Sequence, residues 1–409
     1  MIKKIIISAC LLISFVSFAQ QGTSSPYSFY GIGESRFKGT LENRSMAGVS
    51  VEQDSIHMNI ENPSSYANLR QTVFTVGGTF GTSNIKSTTL SEKAQRSTFD
   101  YLAVGVPMGK FGAAFGLIPL SSVGYKILEN NTGTEGATST QLDGKGGVNK
   151  VFFGLGYKLK PHWTIGADVQ YNFGKITTTS IEGITGVESQ TAEVNTSELS
   201  GVNFNIGTMY QRKIYKKMTL FTSLNYTFAS TLNSINSRVI SVSGDPDPYP
   251  YSPQETNLKL PNKLTIGFGV GEPRKWVVGT TMAFQGNGQL ANYYNTMDNV
   301  HYEKYQKYGI GGYYIPNYAS FTSYLSRITY RAGLKYEKLG MVINNQSIND
   351  VGMTLGAGIP ITGSFSNINI GIEFGKRGTT TAGLVQENYL NFNLGFSFND
   401  RWFVKSKFQ

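Results

Sequence analysis

From Asn388 to Phe398 the chain alternates strictly: Leu390, Phe392, Leu394, Phe396 and Phe398 share one face of an extended strand, and Asn391, Asn393, Gly395 and Ser397 share the other. The pattern recurs in Ile368, Ile370, Ile372 and Phe374, in Val351, Met353, Leu355, Ala357 and Ile359, and in Trp163, Ile165, Ala167, Val169, Tyr171 and Phe173. Further copies run through Val202 to Tyr210, Leu220 to Phe228 and Ile328 to Tyr336. A soluble sandwich also alternates, but here the second face is polar or glycine and aromatic residues gather at the strand ends. That combination suits a wall with lipid outside and a wet lumen inside. The fold class expected is therefore all-β, a transmembrane antiparallel β-barrel of about 14 strands. Composition agrees, with 47 glycines, 24 tyrosines and 25 phenylalanines in 409 residues and only 15% charged residues.

The N-terminus supplies the compartment. Met1-Ile2-Lys3-Lys4 is a basic start, Ile5 to Val16 an apolar core too short to span a bilayer, and Ser17-Phe18-Ala19 a small-x-small cleavage site. We read residues 1–19 as a signal peptide cleaved near Ala19, followed by insertion into the outer membrane of a Gram-negative cell. Cys10 is the only cysteine, and a lipoprotein reading of Ile7 to Cys10 leaves the apolar core too short. No later stretch holds ~18 consecutive apolar residues, so any crossing must be made by strands. The +10 net charge includes no basic run, and nucleic acid is not an expected partner. Outer-membrane lipids and lipopolysaccharide are.

Connections alternate in length. Short ones lie at Met108 to Lys110, Lys160 to His162, Tyr215 to Lys217, Gly271 to Arg274 and Ile361 to Ser364; longer ones are expected around 84–96, 126–147, 183–193, 241–260 and 287–322. By the rule for outer-membrane barrels, short turns face the periplasm and long loops the exterior. The barrel is expected over 71–398, with 399–409 a periplasmic tail or an extra strand. Residues 20–70 lack the alternation and are too few for a robust core of their own, which suits an N-terminal plug, or hatch, inside the barrel.

In that N-terminal unit, Tyr27-Ser28-Phe29-Tyr30-Gly31-Ile32-Gly33, Ser45-Met46-Ala47-Gly48-Val49-Ser50 and Glu61-Asn62-Pro63-Ser64-Ser65-Tyr66 resemble the hatch of the FadL/TodX outer-membrane transporters. The form is similar to the branch found in Bacteroidota. Gly356 to Pro360, Glu373 to Gly378 and Asn399 to Lys405 extend the resemblance along the mature chain. Ser64 stands where the family's hatch turn has alanine. The resemblance implies fourteen strands, a hatch, and passive uptake of hydrophobic small molecules, long-chain fatty acids or aromatic hydrocarbons, by lateral diffusion through a gap in the wall. In it, Asn62, Pro63 and Ser64 form the hatch turn.

Several residues bear on such a path. Pro119 follows a glycine-rich run that includes Gly116; a proline removes a ladder donor, so Gly116 and Pro119 mark either a lateral opening or the outer rim where the strand ends. Eight tyrosines between Tyr293 and Tyr318, Tyr313 and Tyr314 among them, read as an external loop that captures an apolar ligand or packs onto the barrel mouth. Arg327, Arg331, Lys335, Glu373 and Arg377 fall on lumen faces. They are expected to pair with plug carboxylates Glu52, Asp54 or Glu61, or, at Arg331, to hold a fatty-acid carboxylate, with Met46 and Val49 beside the acyl tail. His57, His162 and His301 are placed apart and give neither a metal site nor a catalytic relay, so no enzyme activity, metal or cofactor is expected. The second functional class is a non-transporting accessory or structural barrel subunit of an outer-membrane secretion or assembly complex, with a protein partner. A continuous apolar passage favours the first class, a sealed lumen with an exposed patch the second.

Overall fold

The computed structural model describes residues 22–400 apart from 134–135, 246, 288–292 and 295–296. The proposed signal peptide, Cys10, the Ala19 cleavage site and residues 401–409 lie outside the described residues. Fourteen antiparallel strands close into a barrel, as the alternation predicts. They are β1 Thr72–Lys86, β2 Ser91–Met108, β3 Phe111–Gly133, β4 Gly136–Lys160, β5 Trp163–Ile184 and β6 Gln190–Tyr215. Next come β7, Met218–Thr227 continued by Ser230–Val242, and β8, Gln254–Leu260 continued by Lys263–Glu272. Then follow β9 Trp276–Gln285, β10 Tyr305–Tyr314 with Val300–Tyr302 above it, β11 Thr329–Ile343, β12 Gln346–Pro360, β13 Asn367–Gly378 and β14 Gln386–Asp400. β14 pairs with β1 from Gln386↔Lys86 to Asp400↔Thr72, which closes the wall.

The two faces of β14 show why the wall holds. Phe392 and Leu394 are 46% and 47% exposed, while Asn391 and Asn393 are 4% exposed. Lipid solvates the first pair, and lumen contacts satisfy the second.

The long connections are not loops over most of their length. Residues 84–86 and 91–96, 126–133 and 136–147, and 183–184 with 190–193 are strand, so the β1–β2, β3–β4 and β5–β6 hairpins run on as paired strands nearly to their tips. Their alternation is weak because the outer face there no longer meets lipid, which removes the selection for apolar residues on that side. A second correction concerns 287–322. β10 pairs with β9 from Gln285↔Tyr305 to Trp276↔Tyr314, so Tyr313 and Tyr314 stand at the short-turn end, and residues 315–328 connect strands there. Sequence reading missed this strand because its lumen face carries Gly309 and Gly311. At Gly311 a Cβ would lie 2.3 Å from the Met46 carbonyl oxygen, so only glycine admits the chain that passes there.

Residues 22–70 lie against lumen-facing residues of strands all round the wall. A one-turn helix, Leu41–Arg44, touches β12 to β14, and a 3₁₀ helix, Pro63–Asn68, touches β2 to β6. Leu41, Met58, Ile60, Tyr66 and Leu69 form a buried core with Tyr101, Ala103, Ala114, Ile118 and Phe152 from the wall. A second apolar cluster joins Ile32 to Val123, Tyr125, Val148, Ile176, Leu199, Leu232 and Leu258.

Candidate functional site

Asn62 fastens the inner segment. Its Oδ1 accepts from the Ser64 backbone N–H (3.1 Å) and the Ser64 hydroxyl (2.7 Å), capping the 3₁₀ helix that Pro63 opens. Its Nδ2 donates to the carbonyls of Thr208 (3.3 Å) and Leu224 (3.2 Å) on β6 and β7. The Ser64 hydroxyl thus adds a second donor to the cap.

The charges on the far side are tied more tightly. Arg377 on β13 meets Glu34 (2.7 Å) and Asp350 (3.1 Å), and Arg96 on β2 meets the same Glu34 (3.4 Å). Arg36 and Arg44 both reach Asp100, at 3.5 and 3.0 Å. Lys335 pairs with Glu373 (2.5 Å) and Asp350 (3.7 Å). Lumen cations therefore do pair with the inner segment, but through Glu34 rather than Glu52, Asp54 or Glu61. Sequence reasoning missed Glu34 and Arg36 because irregular chain carries no period that shows which way a side chain points, and Asp100 because it sits at a bulge in β2 that breaks the alternation. Arg327 is also not on a strand; it lies in the turn Leu325–Arg327 before β11.

Between β2 and β3 the wall is open above the turn end. The two strands pair only from Leu102↔Leu117 to Met108↔Phe111, while β3 continues beside β4 to Gly133. Gly116 is within the paired part and Pro119 just beyond it, at a bulge between Pro119 and Ser121. Pro119 is thus not at the end of its strand. Its missing donor faces no ladder bond to β2. The inner segment fills part of the gap: Glu34 and Ser35 pair with Ser122 and Ser121, and the Arg36 N–H donates to the Leu120 carbonyl (3.0 Å). A cavity of about 620 Å³ lies in the gap, lined by Arg36, Phe99, Pro119, Ser122, Val123 and Lys175. An inner chamber of about 290 Å³ shares Arg36, Pro119 and Ser121 with it and is lined by Glu34, Lys38, Arg44, Glu61, Arg96, Lys150, Lys263, Lys307, Glu337 and Arg377 among others.

Met46, Val49, Tyr313 and Arg331 are brought together, but at the short-turn end, around a vestibule of about 1000 Å³. Tyr314 is not with them; it is 51% exposed on the outer face. Asn62, Pro63 and Ser64 lie deeper, outside its lining. Arg331 donates to Asn369 Oδ1 (3.0 Å), and the Asn369 Nδ2 donates to Glu42 Oε1 (2.9 Å). Tyr313 donates its hydroxyl to Glu52 (2.8 Å). Burial and then the neighbouring Asp54 charge push the Glu52 carboxyl up to about 7. Burial alone raises the Asp54 carboxyl too, but His57, 2.6 Å away, outweighs it and holds Asp54 at about 2. Burial disfavours the His57 imidazolium, and Asp54 more than offsets that and raises it. His57 and His162 both line the vestibule, whereas His301 is in the strand segment above β10.

Closed fourteen-stranded barrel, polar lumen and wall gap define an outer-membrane barrel with the fold of the FadL-like channels. The solved toluene transporter TbuX of Ralstonia pickettii overlays with a TM-score of 0.57 at 13% identity, over 89% of this chain and 98% of that one. The toluene transporter TodX of P. putida gives 0.56 at 16% identity, over 89% and 99%. A Pseudomonas aeruginosa FadL homologue gives 0.56 at 12%, over 90% and 99%. At these identities the likeness is one of fold. No curated protein matches the chain. The BamG family model matches residues 1–409, and the chain belongs to the BamG family.

Proposed function

We propose that this protein is a non-transporting barrel, an accessory or structural subunit of an outer-membrane assembly or secretion complex. The observation that carries the reading is the Glu34 bridge: the segment filling part of the wall gap pairs with β3 on one side and is ion-paired to Arg96 of β2 and Arg377 of β13 on the other. Opening the gap breaks both pairs and leaves buried charges without partners, which is costly. The chamber behind the gap is lined with charge, and an apolar molecule covering those groups removes their water without replacing it. Exposed apolar surface instead gathers outside the lumen, on the turn-end connection: Phe321 is fully exposed and Leu325 65% exposed, near Tyr318 and Tyr324. The test is purification of the tagged chain from native membranes with a photo-crosslinker at Phe321. A stoichiometric protein partner, and loss of other outer-membrane proteins on depletion, is the expected result; no partner, with uptake of labelled fatty acid above that of empty cells, overturns it.

The second reading is uptake of hydrophobic small molecules by lateral diffusion. It is favoured by the unpaired stretch between β2 and β3 and the cavity of about 620 Å³ in it at Pro119. In that reading Asn62, Pro63 and Ser64 brace a hatch over 20–70, Gly116 and Pro119 border the exit, and Arg331 with Met46 and Val49 holds an acidic lipid at the inner end of the path.

A further inference from the structure

The vestibule at the turn end holds more cations than carboxylates. Lys158, Lys213, Lys217, Arg274, Arg327 and Arg331 line it, and among the described residues only Lys217 has a carboxylate within ion-pair distance, Glu272 at 3.7 Å. The acidic groups of the same lining are otherwise engaged: Asp54 with His57, Glu52 with Tyr313, Glu42 with Asn369. Above it, Glu34, Asp100, Asp350 and Glu373 pair with Arg36, Arg44, Arg96, Lys335 and Arg377 within 4 Å, while Lys38, Lys150, Lys263 and Lys307 of the inner chamber lie behind the inner segment, away from the turn-end mouth. Arg331 is 7% exposed and has an amide as its hydrogen-bonding partner, and the Arg327 Nε is enclosed without an acceptor. A buried guanidinium whose nearest carboxylate, Glu42, is reached only through an amide gains from direct contact with an incoming anion.

We propose that this vestibule receives an acidic peptide segment of a periplasmic partner protein. The inference rests on the accessory-subunit reading and adds the chemistry of what is held. Periplasmic access follows from the short-turn end. A volume of about 1000 Å³ exceeds what a simple anion needs and suits several residues of extended chain. Lys158 and Lys213 are on the lumen face of β4 and β6, in step with buried Phe152 and Met209, not on the lipid face where headgroup-binding cations stand. Apolar groups flank the cations: Ile315, Tyr318 and Phe365 line the vestibule, and Phe321 and Leu325 lie exposed on the same connection. The segment therefore carries carboxylates interspersed with aromatic or aliphatic side chains.

The experiment uses the full chain in detergent and a fluorescein-labelled peptide of alternating aspartate and phenylalanine, with the lysine-phenylalanine peptide as its counterpart. Anisotropy is expected to show binding of the acidic peptide alone. Affinity falls about tenfold or more in the exposed-site double variant Lys213→Glu/Arg274→Glu, and comparably in ~0.5 M salt. Lys93→Glu and Lys126→Glu, exposed at the other end, leave it unchanged. Heat-modifiable migration on a gel checks that each variant is a folded barrel. Equal binding of the lysine peptide, indifference to the double variant, or a charge reversal that releases phosphatidylglycerol vesicles and not the peptide each overturns the inference. If the double variant retains a partner that wild type also retains, the vestibule inference fails while the accessory reading stands; if wild type retains none, the accessory reading fails as well.

Discussion

Arg377 of β13 and Glu34 of the inner segment meet at 2.7 Å across the lumen, both largely buried, and the same carboxylate accepts from the Thr23 hydroxyl. This pair is what makes the inner segment part of the wall. Glu34→Gln leaves Arg377, Arg96 and Arg36 with one carboxylate fewer, and breaking a buried pair of this kind costs about 3–5 kcal/mol. The loss is expected locally: faster hydrogen exchange and protease cleavage over residues 22–50, with the barrel still heat-modifiable. Unchanged protection over that stretch contradicts the assignment of the pair as its anchor.

Gly207 gives an independent handle on the other anchor. A Cβ there lies 2.0 Å from Asn62 Oδ1, so Gly207→Ala must displace the capped turn or the wall. Overpacking of this sort costs about 1–3 kcal/mol. Exchange protection of residues 62–68 should fall, and Asn62→Ala, which removes the obstacle as well as the cap, should lose protection to a similar degree without adding to the effect of Gly207→Ala. Additive losses from the two changes would show that they do not act on one contact.

The vestibule cluster predicts a pH response whose sign follows from its two raised groups. Glu52 moves from an ordinary 4.5 up to about 7, so the folded cluster prefers the protonated acid, and stability declines as pH rises from 4.5 through 7. His57 is also raised, so its contribution is complete below 6.5 and lost as pH climbs through its folded value. Asp54, held at about 2, contributes above 3.8 and changes nothing near neutrality. Intrinsically corrected exchange over residues 50–58 should therefore be faster at pH ~8 than at pH ~5.5. Glu52→Gln should flatten part of that difference, and a difference of opposite sign would refute the assignment.

The alternating strands declared themselves because lipid and lumen demand opposite chemistry at successive positions; Leu390 to Phe398 is unambiguous for that reason. β10 was hidden because Gly309 and Gly311 erase the signal on the face that the inner segment presses against. The upper parts of β3 to β6 were hidden because, beyond the lipid, their outer faces no longer require apolar residues and the alternation fades. Asn62 and Pro63 were legible as a turn from their residue types, and their place against β6 and β7 was not. Arg331 was read correctly as inward-facing, and its pairing with Asn369 depends on register between strands that no local pattern encodes. Glu34 sits in a segment without period, and its role emerges only when Arg96 and Arg377, from distant parts of the chain, converge on it beside its neighbour Arg36.

The wall gap separates the two functional readings most directly. Pro119→Val restores one backbone donor, worth about 1 kcal/mol, but β2 is not paired opposite it, and Glu34 to Arg36 occupy the adjoining edge of β3. The variant should therefore neither close a path nor unfold the barrel. In cells lacking other such transporters, wild type and Pro119→Val should both take up labelled long-chain fatty acid and toluene no faster than empty cells, while Phe321→Glu, on the exposed turn-end connection, should reduce recovery of a bound protein partner. Uptake by wild type that Pro119→Val slows, with partner recovery indifferent to Phe321→Glu, would reverse the order of the two readings and make the gap at Pro119 an exit for hydrophobic cargo.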